Sequence, residues 1–203
     1  MTFNSVTNVV SLFNGVPSRG WLVVGKGPTS DRFNELDTNK YRIITLNHAC
    51  RITLPHIMHF VDIEAFEDNL ERINQLNCFV CLPWYPHVRF KAGDKTVLDY
   101  PKVAALGPRL ISYNATTAGK RPKKLSLPTI RLRYFSAVGV FNILAAAGVR
   151  NIYSIGVDGG TGYGVAFDPA TKLANGHKSF DAQTKELEAT VRRVKGKWIK
   201  LGV

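Results

Sequence analysis

The sequence has little of what marks several common protein classes. Its 203 residues include only 3 cysteines, an odd number that argues against a disulfide framework. The longest apolar run, Val138 to Val149, is interrupted by Asn142 and is shorter than the roughly 20 residues that a membrane-spanning helix needs. The first residues lack the charged start and small-residue cleavage site of a secretory signal. We therefore expect a reduced, cytoplasmic protein with one domain, residues 1–203.

Acidic residues are scarce in the second half of the chain. Lys and Arg number 27 against 15 Asp and Glu, which gives a net charge of +12. Residues 100–157 contain no acid and nine cations. Such a field attracts polyanions, for which nucleic acid, anionic lipid and phosphorylated glycolipid all qualify, although a basic face can also serve solubility alone. The candidate polyanion-binding residues are Lys120, Arg121, Lys123, Lys124, Arg131 and Arg133.

The order of apolar runs and turn residues predicts alternating strands and helices. Strands are predicted at 21–24, 41–46, 57–61, 78–82, 109–113, 152–157 and 197–201. Helices are predicted from Ser30, at 62–76, at 136–147 with Ser136 as N-cap and Gly148 after its end, and at 180–194. This alternation indicates an α/β fold with a mostly parallel, Rossmann-like sheet and helices on both faces. Between these elements, 84–105 reads as irregular, 115–128 as a mobile basic loop, and 159–176 as a glycine-rich active-site loop.

Polar and glycine residues follow four of the predicted strands. Because ligands of parallel sheets bind beyond the carboxyl ends of the strands, these segments should meet at one crevice. They are Gly25–Pro28, Asn47–His48, Asp62 and Asp158–Gly160.

Each of these groups has a structural and a chemical interpretation. The glycines of Gly25–Pro28 would let the backbone approach a phosphate, or they form a plain tight turn. Asp158 would bind a sugar hydroxyl, or it caps its own loop. His177, in a glycine-rich segment, suits a general base because its ordinary pKa is near 6.5, but taken alone a histidine in such a segment is more often a plain surface residue.

Nothing in the sequence predicts a metal site. There is no Asp-x-Asp pair of the kind that many nucleotide-sugar enzymes use to bind a divalent cation. Cys78 and Cys81 lie three residues apart on one strand, so their side chains point to opposite faces and suit neither zinc nor redox chemistry. The histidines outside the glycine-rich loop have no metal-ligand spacing.

Four segments, taken together, resemble a known family. They are the turn sequence Trp-Leu-Val-Val-Gly-Lys-Gly-Pro-Thr-Ser at 21–30, Asn47, the helix and strand at 135–158 that end in Gly-Val-Asp, and the residues around Phe167 and His177. In order and rough spacing they resemble the bacterial lipooligosaccharide sialyltransferases. That family shares a variant Rossmann-like fold with pterin pyrophosphokinase-like and flagellin-modifying glycosyltransferase families.

The resemblance implies an inverting glycosyltransferase that takes a sugar from a nucleotide-activated donor of the CMP-sugar type. With no metal or other cofactor expected, the catalytic residues would be His177, which stands where the family has its general base, and Asp158. The implied donor-binding residues are Gly25, Lys26, Gly27, Pro28, Asn47, Asp62, Ser136, Gly159, Gly160 and Tyr163.

The chain also departs from the family at the leaving phosphate. Lys26 replaces an asparagine of the family's turn, Gly160 replaces a tyrosine, and Val165 or Ala166 stands where the family has a second tyrosine. Those tyrosines hold the phosphate in the family. In this chain Lys26, Tyr163 or a loop cation would have to do so.

The acceptor and the wider function stay open at this point. The basic segment favours a polyanionic acceptor. Two acceptors meet this description: a phosphorylated lipopolysaccharide core at the inner membrane, and a hydroxymethylated base in phage DNA. A pterin pyrophosphokinase-like transferase would need magnesium, with Asp62 and Glu64 as the nearest carboxylates. A nucleic-acid-binding protein without catalysis would depend on the basic segment and not on His177.

Overall fold

A parallel sheet forms the centre of the molecule. The computed structural model describes residues 3–13, 20–133, 135–167 and 179–202. The sheet contains nine parallel strands: β1 (Asn4–Ser5), β2 (Gly20–Val24), β3 (Tyr41–Leu46), β4 (Ile57–His59), β5 (Phe79–Pro83), β8 (Leu110–Ala115), β9 (Thr129–Ile130), β10 (Asn151–Ile155) and β11 (Lys197–Lys200). An antiparallel hairpin of β6 (His87–Val88) and β7 (Lys91–Ala92) lies apart from them. The parallel strands pair side by side in the order β1-β8-β5-β4-β3-β2-β10-β11, with β9 beside β8. The predicted Rossmann-like α/β fold is confirmed.

Successive strand residues point to opposite faces, so the sheet needs apolar cover on both sides. The helices that provide it are α1 (Ile63–Glu67), α2 (Leu70–Leu76), α3 (Pro101–Ala104), α4 (Ser136–Ala146) and α5 (Asp181–Arg193). Ile57 and Cys81 pack with residues of α4 and α5 on one face. Their neighbours Met58 and Val80 pack with residues of α1, α2 and α3 on the other. None of the helices in the described ranges has the length and apolar character needed to cross a bilayer.

The helix predicted over 62–76 is instead two short helices, α1 and α2. They separate at Asn69, which is 3% exposed. Its side-chain amide donates to the carbonyl oxygen of Ala65 at 2.7 Å, while its side-chain oxygen accepts from Arg51 Nε at 3.1 Å. An asparagine side chain that bonds the backbone in this way competes with helix continuation.

Other boundaries shift by smaller amounts. The helix predicted from Ser30 is a 3-10 helix over Pro28–Glu35. The strand predicted over 57–61 ends at His59, and the one predicted over 109–113 runs from Leu110 to Ala115. The segment 84–105, interpreted as irregular, contains the β6–β7 hairpin and α3.

The N-cap of α4 is Phe135, not the predicted Ser136, and no side chain caps this helix end. The predicted end is confirmed: Gly148 has φ 84, and its N–H donates to the Ala145 carbonyl oxygen at 3.1 Å. A glycine is favoured here because side chains at positive φ are strained.

The two predicted loops differ in how much of them is described. In 115–128, Ala115 belongs to β8 and residues 116–118 form a 3-10 turn. The Asn114 side chain donates to the carbonyl oxygens of Lys124 and Leu127, which ties the loop base to the sheet, and its mobility stays a prediction. Of 159–176, residues 159–167 are described and the rest lie outside the described residues.

The backbone segments that follow β2 and β10 are in close contact at the carboxyl edge of the sheet. The N–H of Gly25 donates to Ile155 O at 2.9 Å and that of Gly27 to Gly156 O at 2.8 Å. A Cβ at Gly25 would overlap the Gly156 carbonyl group, and a Cβ at Gly27 would overlap the Asp158 carboxylate. The glycines are thus required by packing between two strand ends.

We predict that Gly25→Ala lowers the free energy of unfolding by at least about 2 kcal/mol, because backbone atoms must move to admit the methyl group. Gly107→Ala is the control: Gly107 has φ +52 but open space around it, so backbone strain alone should cost about 1 kcal/mol. Urea unfolding measures both. Equal losses in the two variants would contradict the packing account.

Candidate active site

A cavity of about 670 Å³ opens at the carboxyl ends of the central strands. It lies at the end of β2, which is between β3 and β10 in the sheet. From β2 the chain adds β3 on one side and later adds β10 on the other side, so the strand order reverses at β2. Ligands of open parallel sheets bind at such points. The strand ends contribute Gly25, Lys26 and Gly27 after β2, Asn47 and His48 after β3, Asp62 after β4, and Gly156, Val157 and Asp158 after β10.

Most of the residues predicted to bind the donor or to act in catalysis come together here. Those lining the cavity are Gly25, Lys26, Gly27, Asn47, Asp62, Ser136, Asp158 and Tyr163. His177 lies outside the described residues. Pro28, Gly159 and Gly160 do not line the cavity. The two glycines are outside it because the chain turns away after Asp158: Gly160 N donates to Asp181 Oδ1 at 2.8 Å, and Gly160 O accepts from Phe180 N at 2.7 Å.

The N–H groups of Gly25 and Gly27 are engaged within the protein. The N–H groups of Gly25 and Gly27 are bonded to β10 and to the turn after it, and the N–H of Ser30 donates to Gly27 O at 2.9 Å. Thr29 N donates to Asp158 Oδ2 at 2.9 Å. Lys26 is the residue of this turn that brings a side chain to the cavity, and the role of the turn in phosphate binding stays a prediction.

The carboxylate of Asp158 joins the two sides of the crevice. It accepts from both the backbone N–H and the hydroxyl of Thr29, with the hydroxyl at 2.8 and 2.9 Å from the two carboxylate oxygens. Its backbone carbonyl accepts from Gln183 Nε2 at 2.9 Å. Its capping and bridging role is thus built into the fold, while the predicted catalytic role of Asp158 stays a prediction.

Asn47 connects the end of β3 to the start of α4. Its φ is 50, a left-handed conformation that asparagine tolerates better than most residues. Its side-chain amide donates to Ser136 Oγ at 3.2 Å, while Oδ1 is buried without a partner among the described residues. That oxygen is a ready acceptor for a ligand hydroxyl or amino group.

The hairpin tip at 89–90 borders the cavity and is held by two carboxylates. Arg89 and Phe90 have φ 49 and 67, conformations that are uncommon for such residues. Arg89 N donates to Glu64 Oε1 at 3.0 Å, and Phe90 N donates to the carboxylate of Asp62. These bonds offset the backbone strain and bring the half-exposed Phe90 ring to the rim.

Asp62 and His87 form a buried titratable pair. Asp62 Oδ1 lies 3.8 Å from His87 Nδ1, and His87 Nε2 lies 2.9 Å from Thr117 Oγ1. Burial, reinforced by Glu64, raises the pKa of Asp62 to about 6, although Lys26 and the Phe90 N–H oppose this. Burial lowers the pKa of His87 to about 4. Near neutral pH the imidazole is neutral, and the Asp62 carboxyl can hold or release a proton.

Lys26 lies against an aromatic group on the opposite side. Its Nζ is 4.6 Å from the ring centroid of Tyr163. The Tyr163 ring packs edge-on against Phe180, with centroids 5.5 Å apart, and Phe180 packs against Phe135 at 5.0 Å. Burial lowers the pKa of Lys26 and Arg51 lowers it further, while Asp62 partly offsets them.

Several cavity residues escaped prediction from the sequence, chiefly His87, Phe90, Thr117 and Gln183. His87 lies in the segment that read as irregular and reaches the site because its N–H donates to Val61 O at 2.8 Å. Gln183 lies in the first turn of α5, for which the sequence predicts a helix and no role in the site. The sequence carries no motif for these residues.

The six predicted polyanion-binding residues fall into two groups. Arg121 pairs with Asp94 at 2.7 Å, and Arg131 and Arg133 both pair with Glu186, at 2.9 and 3.3 Å. The three lysines of the loop, Lys120, Lys123 and Lys124, are exposed and form no ion pair with a described residue. The lysines therefore carry the uncompensated charge.

Among the described residues, no three His, Cys, Asp or Glu side chains are grouped as metal ligands. Asp62 and Glu64, the carboxylates that a magnesium-dependent transferase would use, both line the cavity. Each accepts a backbone N–H from the hairpin tip, which occupies part of its acceptor capacity.

The raised pKa of Asp62 predicts a pH-dependent cost to stability. Because its folded-state pKa exceeds the unfolded value, folding favours the protonated form. The contribution of Asp62 to stability is therefore most favourable below about pH 4 and is lost as the pH rises through about 6. Asp62→Asn keeps an acceptor for Phe90 N–H, and we expect it to add about 1 to 3 kcal/mol at pH 7 and little at pH 4. Urea unfolding at both pH values measures this, with exposed Glu188→Gln as the control. A gain that does not depend on pH would contradict the assignment.

Comparison with known proteins gives no further identification. No family model, curated protein or solved structure matches the chain. The chemical role of the cavity therefore depends on the geometry and charge of its own residues, and the resemblance to the sialyltransferases stays a prediction.

Proposed function

We propose that the protein is a glycosyltransferase that moves a sugar from a nucleotide-activated donor to a polyanionic acceptor. The observation that carries the proposal is the convergence of Lys26, Asn47 and Ser136 on one cavity at the point where the strand order reverses. The sequence predicts each of these three residues as a donor contact. The cavity volume of about 670 Å³ falls in the range typical of small-molecule sites.

The cavity offers distinct groups for the parts of a nucleotide sugar. The unpartnered Oδ1 of Asn47 suits a hydroxyl or amino group of the nucleotide. The N-terminus of α4, which has no side-chain cap, favours negative charge near Ser136. His177 is the proposed base that removes the proton of the acceptor hydroxyl, as the resemblance implies. By the same resemblance the donor is of the CMP-sugar type and no metal takes part.

A glycolipid is the acceptor that the loop chemistry favours. Leu125 is 98% exposed and directly follows Lys123 and Lys124. An exposed apolar side chain beside cations is typical of segments that contact anionic membrane surfaces. A phosphorylated lipopolysaccharide core would present its hydroxyl groups beside such a surface. A hydroxymethylated base in DNA is the alternative acceptor, and it would use the same lysines without a role for Leu125.

Turnover with a panel of nucleotide sugars tests the function, and the donor that most raises the melting temperature is used first. His177→Ala should lower kcat by about 10²- to 10⁴-fold and leave donor affinity nearly unchanged, since a base acts on the acceptor. The acidic limb of the pH–rate profile should follow an apparent pKa near 6 to 7. Transfer should continue in EDTA.

The matched control is Lys172→Ala, which alters the same glycine-rich segment and removes no base. If His177→Ala turns over as fast as the wild type, the base is another group, and Asp62 and Asp158 are the carboxylates to test next. Activity that EDTA abolishes would support the magnesium-dependent transferase instead. No transfer or hydrolysis with any nucleotide sugar would contradict the proposal.

Binding to vesicles tests the acceptor side. Replacing Lys120, Lys123 and Lys124 together by alanine should weaken binding to phosphatidylglycerol vesicles by about 100- to 200-fold and reduce its salt dependence, since three surface cations contribute about 1 kcal/mol each. Leu125→Ser should weaken binding without changing the salt dependence.

The control variant has Lys195, Lys197 and Lys200 replaced by alanine. It also loses three positive charges, but at the opposite edge of the sheet from the loop. Equal losses in the two triple variants would contradict a specific role for the loop. If duplex DNA binds more tightly than vesicles, with the same dependence on the loop lysines and none on Leu125, the acceptor is nucleic acid.

A further inference from the structure

Lys26 is a charged group of the cavity that lacks a charged partner. Its Nζ forms no ion pair with any described residue. Arg51, and His48 when it is protonated, repel the Lys26 ammonium group. Asp62 attracts it. A partly buried ammonium group without a counterion is unfavourable, so an anionic ligand that binds beside it in the cavity would be stabilised.

The carboxylates around the same cavity are each engaged by a donor of their own. Asp158 accepts from Thr29, Glu64 from Arg89 N, and Asp62 from Phe90 N. Asp68 lies 3.2 Å from His48 Nε2. Asp62 Oδ1 and Glu64 Oε2 are buried without a hydrogen-bond partner among the described residues. Neither carboxylate forms an ion pair with Lys26 Nζ, so the ammonium group has no direct anionic partner within the described part of the chain.

Tyr163 fixes the position of that ammonium group through its ring. The cation lies over the ring face, at 4.6 Å from the centroid, rather than at the hydroxyl. The contacts from Tyr163 to Phe180 and on to Phe135 connect this ring to the starts of α5 and α4. Gly164 N donates to Lys26 O at 2.8 Å, which ties the backbone of the two segments together. The ring is thus held rigidly, and it in turn limits where Nζ can lie.

We infer that Lys26, positioned by the face of the Tyr163 ring, binds the phosphate of the donor nucleotide and stabilises it as the leaving group. Ser136 and Ala137, at the uncapped N-terminus of α4, line the same cavity and favour the same anion. The inference rests on the proposed glycosyl transfer, and it assigns the leaving-phosphate role to a lysine and an aromatic ring, with no role for the tyrosine hydroxyl.

In the transfer step, the bond between the anomeric carbon and the phosphate oxygen breaks, and its electron pair passes to that oxygen. The acceptor oxygen forms the new bond to the anomeric carbon, and its proton passes to the base. The nucleotide leaves with one more negative charge on its phosphate than it carried in the donor. Lys26 acts on that developing charge, where a fixed cation stabilises the transition state more than the ground state.

Calorimetric titration with CMP and cytidine, then with UMP and uridine, tests the binding without any transfer. The wild type should bind at least one nucleotide more tightly than its nucleoside, and Lys26→Gln should lose about 10- to 100-fold of that nucleotide's affinity and leave nucleoside affinity unchanged. Tyr163→Phe keeps the ring and should change nucleotide affinity by less than about 2-fold. Tyr163→Leu removes the ring and should weaken it by about 2- to 5-fold.

Lys200→Gln is the matched control, because Lys200 Nζ also lies over an aromatic ring, at 4.4 Å from the Trp198 centroid, but outside the cavity. It should leave nucleotide affinity unchanged. Lys26→Gln should not lower the melting temperature of the ligand-free protein, whereas loss of a structural residue would. In turnover, Lys26→Gln should reduce kcat by about 10²-fold.

Three results would overturn the inference. They are equal affinity for nucleotide and nucleoside in the wild type, equal losses in Lys26→Gln and Lys200→Gln, and a larger loss in Tyr163→Phe than in Lys26→Gln, which would assign the phosphate to the hydroxyl. Binding that depends on phosphate and on Lys26, without turnover of any nucleotide sugar, would contradict the proposed function and leave the phosphate site in place.

Discussion

The contact between the ends of β2 and β10 is the constraint on which the candidate site depends. Gly25 and Gly156 approach so closely that neither can carry a side chain without displacing backbone. The Asp158 carboxylate then bonds Thr29 across the same junction. This junction sets where the chain turns after each strand, and it turns the side chain of Lys26 towards the cavity. The glycines serve this packing, and Lys26 is the residue of the turn whose side chain reaches the cavity.

The cavity has two sides with different chemistry. On one side Asp62, Glu64 and His87 hold the tip of the β6–β7 hairpin, and the carboxylates are engaged by its N–H groups. On the other side Lys26 lies over the Tyr163 ring without an anionic partner. A ligand whose phosphate lies between a nucleoside and a hydroxyl-bearing sugar fits this division. Such a ligand is what a nucleotide sugar provides.

The sequence predicted the fold well because its signals were local. Short apolar runs that end in glycine or in polar residues marked β2, β3 and β10, and parallel topology then brought their ends together. The break between α1 and α2 was not predictable, since it depends on where the Asn69 side chain finds a backbone acceptor. His87 and Phe90 were missed for a similar reason: a hairpin stabilised by contacts distant in sequence brings them to the cavity. His177 lies outside the described residues, so its role as base stays a prediction.

A crystal structure of the protein with the bound nucleotide would test the central claim most directly. The account predicts that the phosphate lies within hydrogen-bonding distance of Lys26 Nζ, with the Asn47 side chain in contact with the nucleoside and the Tyr163 ring still beneath the ammonium group. A phosphate bound by Lys120, Lys123 and Lys124, with the cavity empty, would contradict it.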